Sequence, residues 1–339
     1  VELLWEAGVP HSVLQLMPGR GEIVGALLSQ DTRIQGIMFT GSTEVAKILQ
    51  KTVSGRVTRH GQPVVFIAET GGQNAMIVDS SALTEQVVLD VLSSAFDSAG
   101  QRCSALRILC VQEDNAKPLL HMLKGGMQQL RVGNPVYLNT DIGPVIDQEA
   151  KTNIENHIQK MQKQGYPVYQ FAHNPEQNQF KDGTFILPTL IELPNLNELK
   201  REVFGPVLHV ITYKQGQLAQ LLDAIHAKGY GLTMGLHTRI DETVQTVIQH
   251  AEVGNLYINR NIVGAVVGVQ PFGGEGLSGT GPKAGGPLYL YRLMQNCQPK
   301  KLEQPFAVQT VNHTSANPLY VDFLAWVKQN LPQYTLGQE

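Results

Sequence analysis

The sequence predicts an α/β fold built around a mostly parallel, doubly wound sheet. Apolar runs of strand length alternate with segments of helical spacing, with strands predicted at 13–17, 34–40 and 63–69 and helices at 22–28 and 42–53. This alternation is typical of parallel sheets that carry helices on both faces. Residues 64–67 are continuously apolar, which suits a strand that is buried on both faces.

A second α/β unit follows the first. Its predicted strands are at 75–78, 106–111, 185–193, 207–213, 232–237 and 255–258, and its predicted helices at 83–97, 115–130, 148–164, 217–227 and 241–251. The stretch 264–286 is rich in glycine, which predicts a tight path or a close approach to a ligand. Near the end, a strand is predicted at 306–311 and a short helix at 320–331.

Composition excludes several classes of protein. The 339 residues carry a net charge of −3, so no positive excess is available for a nucleic-acid backbone. No apolar run approaches the roughly 20 residues that a membrane span needs. The three cysteines and ten histidines show no spacing typical of disulfide frameworks or metal ligands, so no metal site is predicted. Sparse cysteines suit a reducing compartment, and we expect a cytoplasmic protein.

The first residues predict that the chain continues upstream. Residues 1–7 have no initiator methionine and no signal-peptide pattern, and their spacing is that of the last turns of an amphipathic helix. Gly8 then suits the residue that ends a helix. We therefore expect this chain to be a fragment of a longer one.

Two turns between a predicted strand and a predicted helix are candidate phosphate sites. Residues 19–25 have the pattern GxGxxxG, and Thr40, Gly41 and Ser42 precede the next helix. Glycines and a helix N-terminus bring backbone N–H groups close to a phosphate. The alternatives are a plain strand–helix turn at the first position and an ordinary helix cap at the second.

Glu69 and Cys103 are the candidate reactive groups. Glu69 ends an apolar strand, where ligands of α/β sheets bind, and partial burial would raise its pKa toward that of a useful base. The alternative is a structural acid that caps the next segment. Cys103 lies in a loop of small and polar residues beside Arg102, which predicts a lowered pKa and a reactive thiolate. Cys110, within an apolar run, is predicted to be a core residue, and Cys297 has no reactive context.

A third candidate segment precedes the strand at 207–213. Glu202 and Phe204 lie two residues apart there, so that a carboxylate could bind ribose hydroxyls and a ring could lie against a flat ligand. The alternative is a loop with one buried phenylalanine.

Taken in order, these segments resemble the aldehyde dehydrogenase family. The similarity rests on five motifs, FTGST at 39–43, ETGG at 69–72, GQRC at 100–103, EVFGP at 202–206 and PFGG at 271–274, and extends over about residues 1–311. It implies an aldehyde dehydrogenase-like α/β fold, with a partial Rossmann-type cofactor domain and an α/β catalytic domain. The implied divisions are 1–72 for the rest of the NAD-binding domain, 73–295 for the catalytic domain, and 296–339 for a C-terminal segment with an oligomerisation strand.

A narrower resemblance concerns the residues around these motifs. Residues 68–79, 96–107 and 264–274 are similar to the glutamate-semialdehyde (Δ1-pyrroline-5-carboxylate) dehydrogenase module of the bifunctional proline utilisation A proteins. This resemblance implies NAD rather than NADP as cofactor, and a homo-oligomer formed as part of a larger chain. FAD is expected only in an upstream proline dehydrogenase module that this chain does not contain.

The resemblance also implies roles for individual residues. Cys103 would attack the aldehyde carbon to form a thioester, and Glu69 would activate the water that hydrolyses it. The residues implied in cofactor binding are Gly21, Thr40, Gly41, Ser42, Gly71, Glu202 and Phe204. Those implied in substrate binding are Arg102, Ser104, Gly264, Ala265 and Phe272.

One departure from the family pattern lowers the expected activity. The family's second oxyanion donor, an asparagine, and its early cofactor-domain strands would all precede Val1. Loss of one oxyanion donor typically costs ~10²–10³ in rate, so weak or no activity is expected of this stretch alone. Two alternatives stay open: an aldehyde dehydrogenase for another substrate, and a non-catalytic domain of the same fold, which would have no need of both Cys103 and Glu69.

Overall fold

A computed structural model of the chain describes residues 1–170 and 183–294. The chain forms two compact units, Val1–Tyr289 and Leu290–Glu339. Of the second unit only residues 290–294 are described. The predicted strand at 306–311, the predicted helix at 320–331 and Cys297 lie outside the described residues, so they stay predictions.

The described elements alternate as the sequence predicts. The helices are α1 (Glu2–Glu6), α2 (Ala26–Gln30), α3 (Thr43–Ser54), α4 (Thr84–Phe96), α5 (Glu113–Met127), α6 (Gln148–Lys163), α7 (Leu218–His226), α8 (Asp241–His250) and α9 (Tyr289–Leu293). The strands are β1 (Gly36–Thr40), β2 (Val65–Glu69), β3 (Ala75–Val78), β4 (Ile108–Gln112), β5 (Val168–Gln170), β6 (Thr189–Glu192), β7 (Val207–Tyr213), β8 (Tyr230–Gly231), β9 (Thr233–His237), β10 (Asn255–Ile258) and β11 (Glu275–Gly276). A π-helical turn at Gly21–Gly25 leads into α2.

The larger sheet has seven strands in the order β10-β9-β3-β4-β7-β6-β5. All neighbours pair in parallel except β5, which runs antiparallel to β6. Every residue of the central strands β3 and β4 is buried, because helices such as α4 and α5 cover the sheet and contribute to one core. Consecutive apolar residues are therefore required there instead of an alternating pattern.

Two smaller sheets of two strands each are also described, β1-β2 and the antiparallel pair β11-β8. The β1-β2 sheet, called the smaller sheet below, positions Glu69. Its strands β1 and β2 are parallel, with a register that runs from Gly36 opposite Val65 to Thr40 opposite Glu69. Glu69 is thus the last residue of its strand, and Thr40 ends the neighbouring strand beside it. The chain then passes from this sheet to the seven-stranded one between Glu69 and Ala75. The division between domains at residue 72 stays a prediction, since residues 1–289 belong to one compact unit.

Two predicted elements differ from the structure. The strand predicted at 13–17 is wrong: these residues form no strand, and the side chains of Val13, Leu16 and Met17 are exposed. An apolar run becomes a strand only where a neighbouring strand pairs with it, and the described residues offer none there. The strand predicted at 185–193 is shorter, since only Thr189–Glu192 joins the sheet.

Membrane-spanning helices and clusters of metal-binding side chains are both absent from the described residues. None of the helices there has the length and apolar character needed to cross a bilayer. In the same part of the chain, no group of three or more His, Cys, Asp or Glu side chains is arranged to hold a metal ion.

Candidate active site

Glu69 lies in a half-buried position against the glycine-rich stretch. Its Oε2 accepts a hydrogen bond of 2.9 Å from the Gly274 N–H, and its buried Oε1 has no hydrogen-bond partner among the described residues. Burial raises the pKa of Glu69 to about 7, opposed by the Gly274 N–H and by the charge of Lys283. The prediction that burial would raise this pKa is confirmed, and the carboxylate suits a base at neutral pH.

Glycine is required where the chain passes Glu69. A Cβ on Gly273 would lie 2.7 Å from Glu69 Oε1, and one on Gly279 would lie 2.9 Å from the same atom. A side chain at either position would displace the Glu69 carboxylate, and a Cβ on Gly279 would also lie 2.6 Å from the Gly274 carbonyl oxygen, which belongs to the backbone. The tight path predicted for 264–286 is confirmed, since Gly264 and Gly268 adopt positive φ angles and the chain passes close to this carboxylate. A close approach to a ligand stays a prediction.

Cys103 lies in a loop that leads into β4. The loop turns through three consecutive left-handed residues, Ser98, Ala99 and Gly100. Asn74, buried just before β3, fixes its far side by donating Nδ2 to the carbonyls of Cys103 and Ala105 at 2.7 and 2.9 Å. Non-glycine residues with φ above zero are costly, so these contacts hold the nucleophile loop in an otherwise unfavourable shape.

The electrostatics of Cys103 differ from the sequence prediction. Its pKa is raised, first by burial and then by the negative charges of Glu202 and Glu69, while the Ser104 N–H acts in the opposite sense. The expected lowering by Arg102 is wrong, because the Arg102 side chain is occupied elsewhere and donates its Nε to Ser98 Oγ at 3.0 Å. Because its pKa is raised, the thiol needs a base to remove its proton. Glu69 is a candidate for this base, since its charge acts on the pKa of the thiol.

Arg107 connects the nucleophile loop to the Glu202 segment and was not identified from the sequence. This side chain is fully buried, and its Nη1 donates to the carbonyl of Gly100 at 2.6 Å and to that of Gly205 at 3.2 Å. Its Nη2 lies 3.1 Å from Glu202 Oε1 and 3.1 Å from the Arg102 carbonyl. One guanidinium thus joins the two predicted motifs.

Glu202 lies over the turn that follows Glu69. A Cβ on Gly71 would be 1.7 Å from Glu202 Oε2, and the Gly72 N–H hydrogen-bonds the same carboxylate. Burial raises the pKa of Glu202, against the opposing effect of Arg107. Phe204 is 44% exposed, with its ring centroid 5.1 Å from the Arg107 guanidinium carbon. The alternative of a buried phenylalanine is therefore wrong, and this ring is available to a ligand.

The other candidate cofactor residues line the end of the smaller sheet. Thr40, Gly41 and Ser42 are exposed where β1 meets α3, and Gly21 is exposed at the start of the helix before α2. Ser42 caps α3 by accepting from the Val45 N–H at 3.2 Å. The predicted helix cap is thus present, and Gly41 donates its N–H to the Glu69 carbonyl at 3.2 Å. These contacts bring the turn next to the base.

The candidate substrate residues come from two segments. Ser104 is buried beside the nucleophile, and its carbonyl accepts from Thr233 Oγ1 at 3.3 Å. Phe272, two residues before the glycine that binds Glu69, is fixed by paired backbone hydrogen bonds of 2.9 Å with Ala284. Gly264 is exposed in open space and Ala265 is half-buried beside it. The role of this pair in substrate binding stays a prediction.

Cys110 differs sharply from Cys103. It lies in the middle of β4, is completely buried, and has its pKa raised to about 12 by that burial. The prediction of an unreactive core cysteine is confirmed.

Comparison with known proteins agrees with this arrangement. The model of the aldehyde dehydrogenase family matches residues 1–298. The chain is 61% identical over 327 residues to the bifunctional protein PutA of Salmonella typhimurium, covering 96% of this chain and 25% of that protein. It is 37% identical over 299 residues to the 1-pyrroline-5-carboxylate dehydrogenase of a Geobacillus strain, covering 87% of this chain and 56% of that enzyme.

The chain is also similar to solved structures of the same kinds of protein. A crystal structure of bifunctional proline utilization A is 50% identical with a TM-score of 0.80, covering 86% of this chain and 29% of that one. The chain thus spans about a quarter of the length of the PutA relatives it matches. A Thermus 1-pyrroline-5-carboxylate dehydrogenase with bound NAD is 36% identical with a TM-score of 0.78, covering 86% of this chain and 55% of that one. The chain belongs to the aldehyde dehydrogenase family.

Proposed function

We propose that this chain carries the catalytic residues for NAD-dependent oxidation of L-glutamate 5-semialdehyde to L-glutamate, the second step of proline breakdown. The observation that carries this proposal is the pairing of a half-buried Cys103 with a carboxylate, Glu69, whose pKa is raised to about 7 and whose charge acts on the thiol. A nucleophile with a raised pKa needs a neighbouring base, and a carboxylate with a pKa near 7 can take its proton.

The residues support a two-stage reaction. Glu69 takes the proton of Cys103, and the thiolate sulfur bonds to the aldehyde carbon, leaving an alkoxide for which the Cys103 backbone N–H is a predicted donor. After oxidation the carbon is held as a thioester. Glu69 next releases the proton of Cys103 to the solvent, which restores the carboxylate. It then takes a proton from water as the water oxygen attacks the thioester carbon, and this proton passes to the leaving sulfur. The carbon–sulfur bond breaks and releases the acid and the thiol.

The residues also fit the cofactor implied by the family. Gly71 leaves the space beside Glu202 that any Cβ would fill, and Phe204 presents an exposed ring next to this carboxylate. NAD, when bound, supplies the oxidant that accepts the hydride of the substrate carbon. Glu202 would bind the ribose of the nicotinamide and Phe204 its ring, while Gly21, Thr40, Gly41, Ser42 and Gly71 would contact the rest. Similarity to an NAD-bound structure favours NAD over NADP.

The proposed substrate is supported by the names of the relatives. It is also supported by the candidate substrate residues, which lie at 102–104 and 264–272. In the proposed complex, Arg102, Ser104, Gly264 and Ala265 would bind the α-carboxylate of the semialdehyde, and Phe272 would line the aldehyde channel. The comparison of kcat/KM for glutamate semialdehyde with that for an uncharged aldehyde of equal length tests this assignment. A clear preference for the semialdehyde supports it, whereas equal values would favour an aldehyde dehydrogenase for another substrate.

The substrate, the oligomeric state and the cellular location belong to the same proposal. The small-molecule aldehyde is the proposed partner, and assembly into a homo-oligomer within a larger chain and a cytoplasmic location stay predictions. A non-catalytic role for the domain is disfavoured, because the charge of Glu69 acts on the Cys103 thiol within one site.

A further inference from the structure

We infer that Lys283 is a positioning residue that keeps the proposed base Glu69 ionised, through its charge and through its hold on the glycine segment that binds the carboxylate. The inference rests on the proposed role of Glu69. It assigns to the site a cation that neither the motifs nor the predicted reaction includes.

Lys283 and Glu69 lie on the same side of Gly273. The position of a Cβ on Gly273 is 2.7 Å from Glu69 Oε1 and 3.1 Å from the Lys283 Cα. A glycine backbone is therefore the spacer between the carboxylate and the lysine. No side chain at this position screens one from the other.

The lysine side chain also holds this segment in place. Its Nζ donates to the Gly254 carbonyl, and Gly254 packs so closely on the same segment that its Cβ would lie 1.8 Å from the Gly273 carbonyl oxygen. On the next residue, the Ala284 backbone pairs with Phe272 through two hydrogen bonds of 2.9 Å. These contacts fix the chain that gives its Gly274 N–H to Glu69 Oε2.

Two side chains with electrostatic influence face Glu69, one from each neighbouring segment. Cys103, from the nucleophile loop, is coupled to it, since the charge of Glu69 raises the pKa of the thiol. Lys283, from the glycine-rich stretch, lowers the pKa of Glu69 against the larger opposing effect of burial. The Gly274 N–H is the larger of the two groups that favour the ionised form, and the Lys283 charge is the second. Glu69 Oε1 accepts no hydrogen bond from the described residues.

The role inferred for Lys283 predicts how the rate of thioester hydrolysis depends on pH. A general base acts only when it is ionised, so the rate of thioester hydrolysis should rise as the pH passes the pKa of Glu69. Removing the positive charge of Lys283 should move this rise to higher pH. A lysine that served only to shape the loop would change the plateau or the stability instead.

The test uses an ester, so that it does not depend on the aldehyde. Attack of the Cys103 thiolate on p-nitrophenyl acetate forms an acetyl thioester and releases p-nitrophenolate, and water then releases acetate. The rate of deacylation would be measured against pH in the full-length protein and in Lys283→Met, Lys283→Arg and Lys151→Met. Lys151 is the matched control, because its Nζ also donates to a backbone carbonyl, that of Gly183 at 3.1 Å.

We expect the profile of Lys283→Met to shift to higher pH, with a lower rate at neutral pH, and those of Lys283→Arg and Lys151→Met to match the parent. An unshifted Lys283→Met profile, or an equal shift in Lys283→Arg, would overturn the inference. So would the absence of a Cys103-dependent thioester. If the profile shifts as expected but glutamate semialdehyde is not oxidised, the proposed substrate fails and the role of Lys283 stands.

Discussion

The Arg107 guanidinium and the Glu202 carboxylate form a buried ion pair, with 3.1 Å between Nη2 and Oε1. The arginine also donates to the Gly100 and Arg102 carbonyls, on either side of the turn that leads to Cys103. One side chain thus links the loop of the nucleophile to the carboxylate proposed to bind the cofactor ribose. A substitution that alters the Cys103 loop should therefore also alter the position of Glu202, and the reverse.

Loss of this arginine should destabilise the protein strongly. Lys is too short for the same contacts. Arg107→Met removes the positive charge beside Glu202, which keeps its hydrogen bond from the Gly72 N–H, and removes the guanidinium donor from the Gly100 and Gly205 carbonyls. Breaking a buried pair from one side costs about 3–5 kcal/mol. Urea unfolding should show a loss of this order for Arg107→Met and a smaller loss for Glu202→Gln, which can still accept a hydrogen bond. Equal stability of Arg107→Met and the parent would show that the pair is unimportant.

Gly71→Ala should weaken cofactor binding more than it weakens the fold. Its Cβ would lie 1.7 Å from Glu202 Oε2, so the carboxylate must move away from its present position. The KM for NAD should rise clearly. In the control Gly125→Ala, the new Cβ meets nothing within 4 Å in an exposed part of α5, and stability should rise by about 0.5–1 kcal/mol with KM unchanged. An unchanged KM in Gly71→Ala would contradict the proposed site.

The raised pKa of Glu69 predicts how stability depends on pH. The folded-state pKa of about 7 exceeds the ordinary 4.5, so the folded protein favours the protonated carboxyl. That contribution to stability is fully present below pH 4.5 and is lost as the pH rises through about 7. Glu69→Gln cannot ionise, and should therefore gain unfolding free energy relative to the parent between pH 5 and pH 8.

Urea unfolding at the two pH values checks this prediction. Glu275→Gln, at an exposed residue of the same glycine-rich stretch, is the control and should show no comparable gain. A constant difference between Glu69→Gln and the parent across this range would mean that the carboxyl is not perturbed.

Alkylation should distinguish the two described cysteines. Iodoacetamide reacts with the thiolate, so the raised pKa of Cys103 predicts slow labelling at neutral pH that accelerates as the pH rises. Glu202→Gln removes a negative charge that raises this pKa, and should accelerate labelling of Cys103 at a fixed pH. Cys110, completely buried, should stay unlabelled in the folded protein. Mass spectrometry identifies the labelled residue, and preferential labelling of Cys110 would contradict the structure.

Much of the fold could be predicted because local pattern and buried position agree. The continuous apolar runs that became β3 and β4 are buried on both faces, and Ser42 marks the start of α3. The run at 13–17 has the same local pattern but no pairing partner in the described chain. Pairing is a property of the tertiary structure, so local pattern could not exclude that strand.

The motifs of the site could be predicted from the sequence. The raised pKa of Cys103 and the ion pair of Arg107 could not. Glu69 could be identified as a candidate because it ends an apolar strand, where ligands of α/β sheets bind, and its role as a base was implied by the family resemblance. The pKa of Cys103 could not, since it depends on Glu202, a residue 99 positions further along the chain. Arg107 carried one signal, a charged residue directly before the fully buried strand β4, because a buried charge requires a partner. That partner is evident only from the structure.

The central claim is that Cys103 is the nucleophile of an NAD-dependent aldehyde oxidation. The most direct test measures NADH formation at 340 nm with glutamate semialdehyde, using the full-length protein, Cys103→Ala and the control Cys110→Ala. The account predicts turnover by the parent and by Cys110→Ala and none by Cys103→Ala. Turnover by Cys103→Ala at the rate of the parent would contradict the mechanism and leave the family resemblance as a statement about the fold alone.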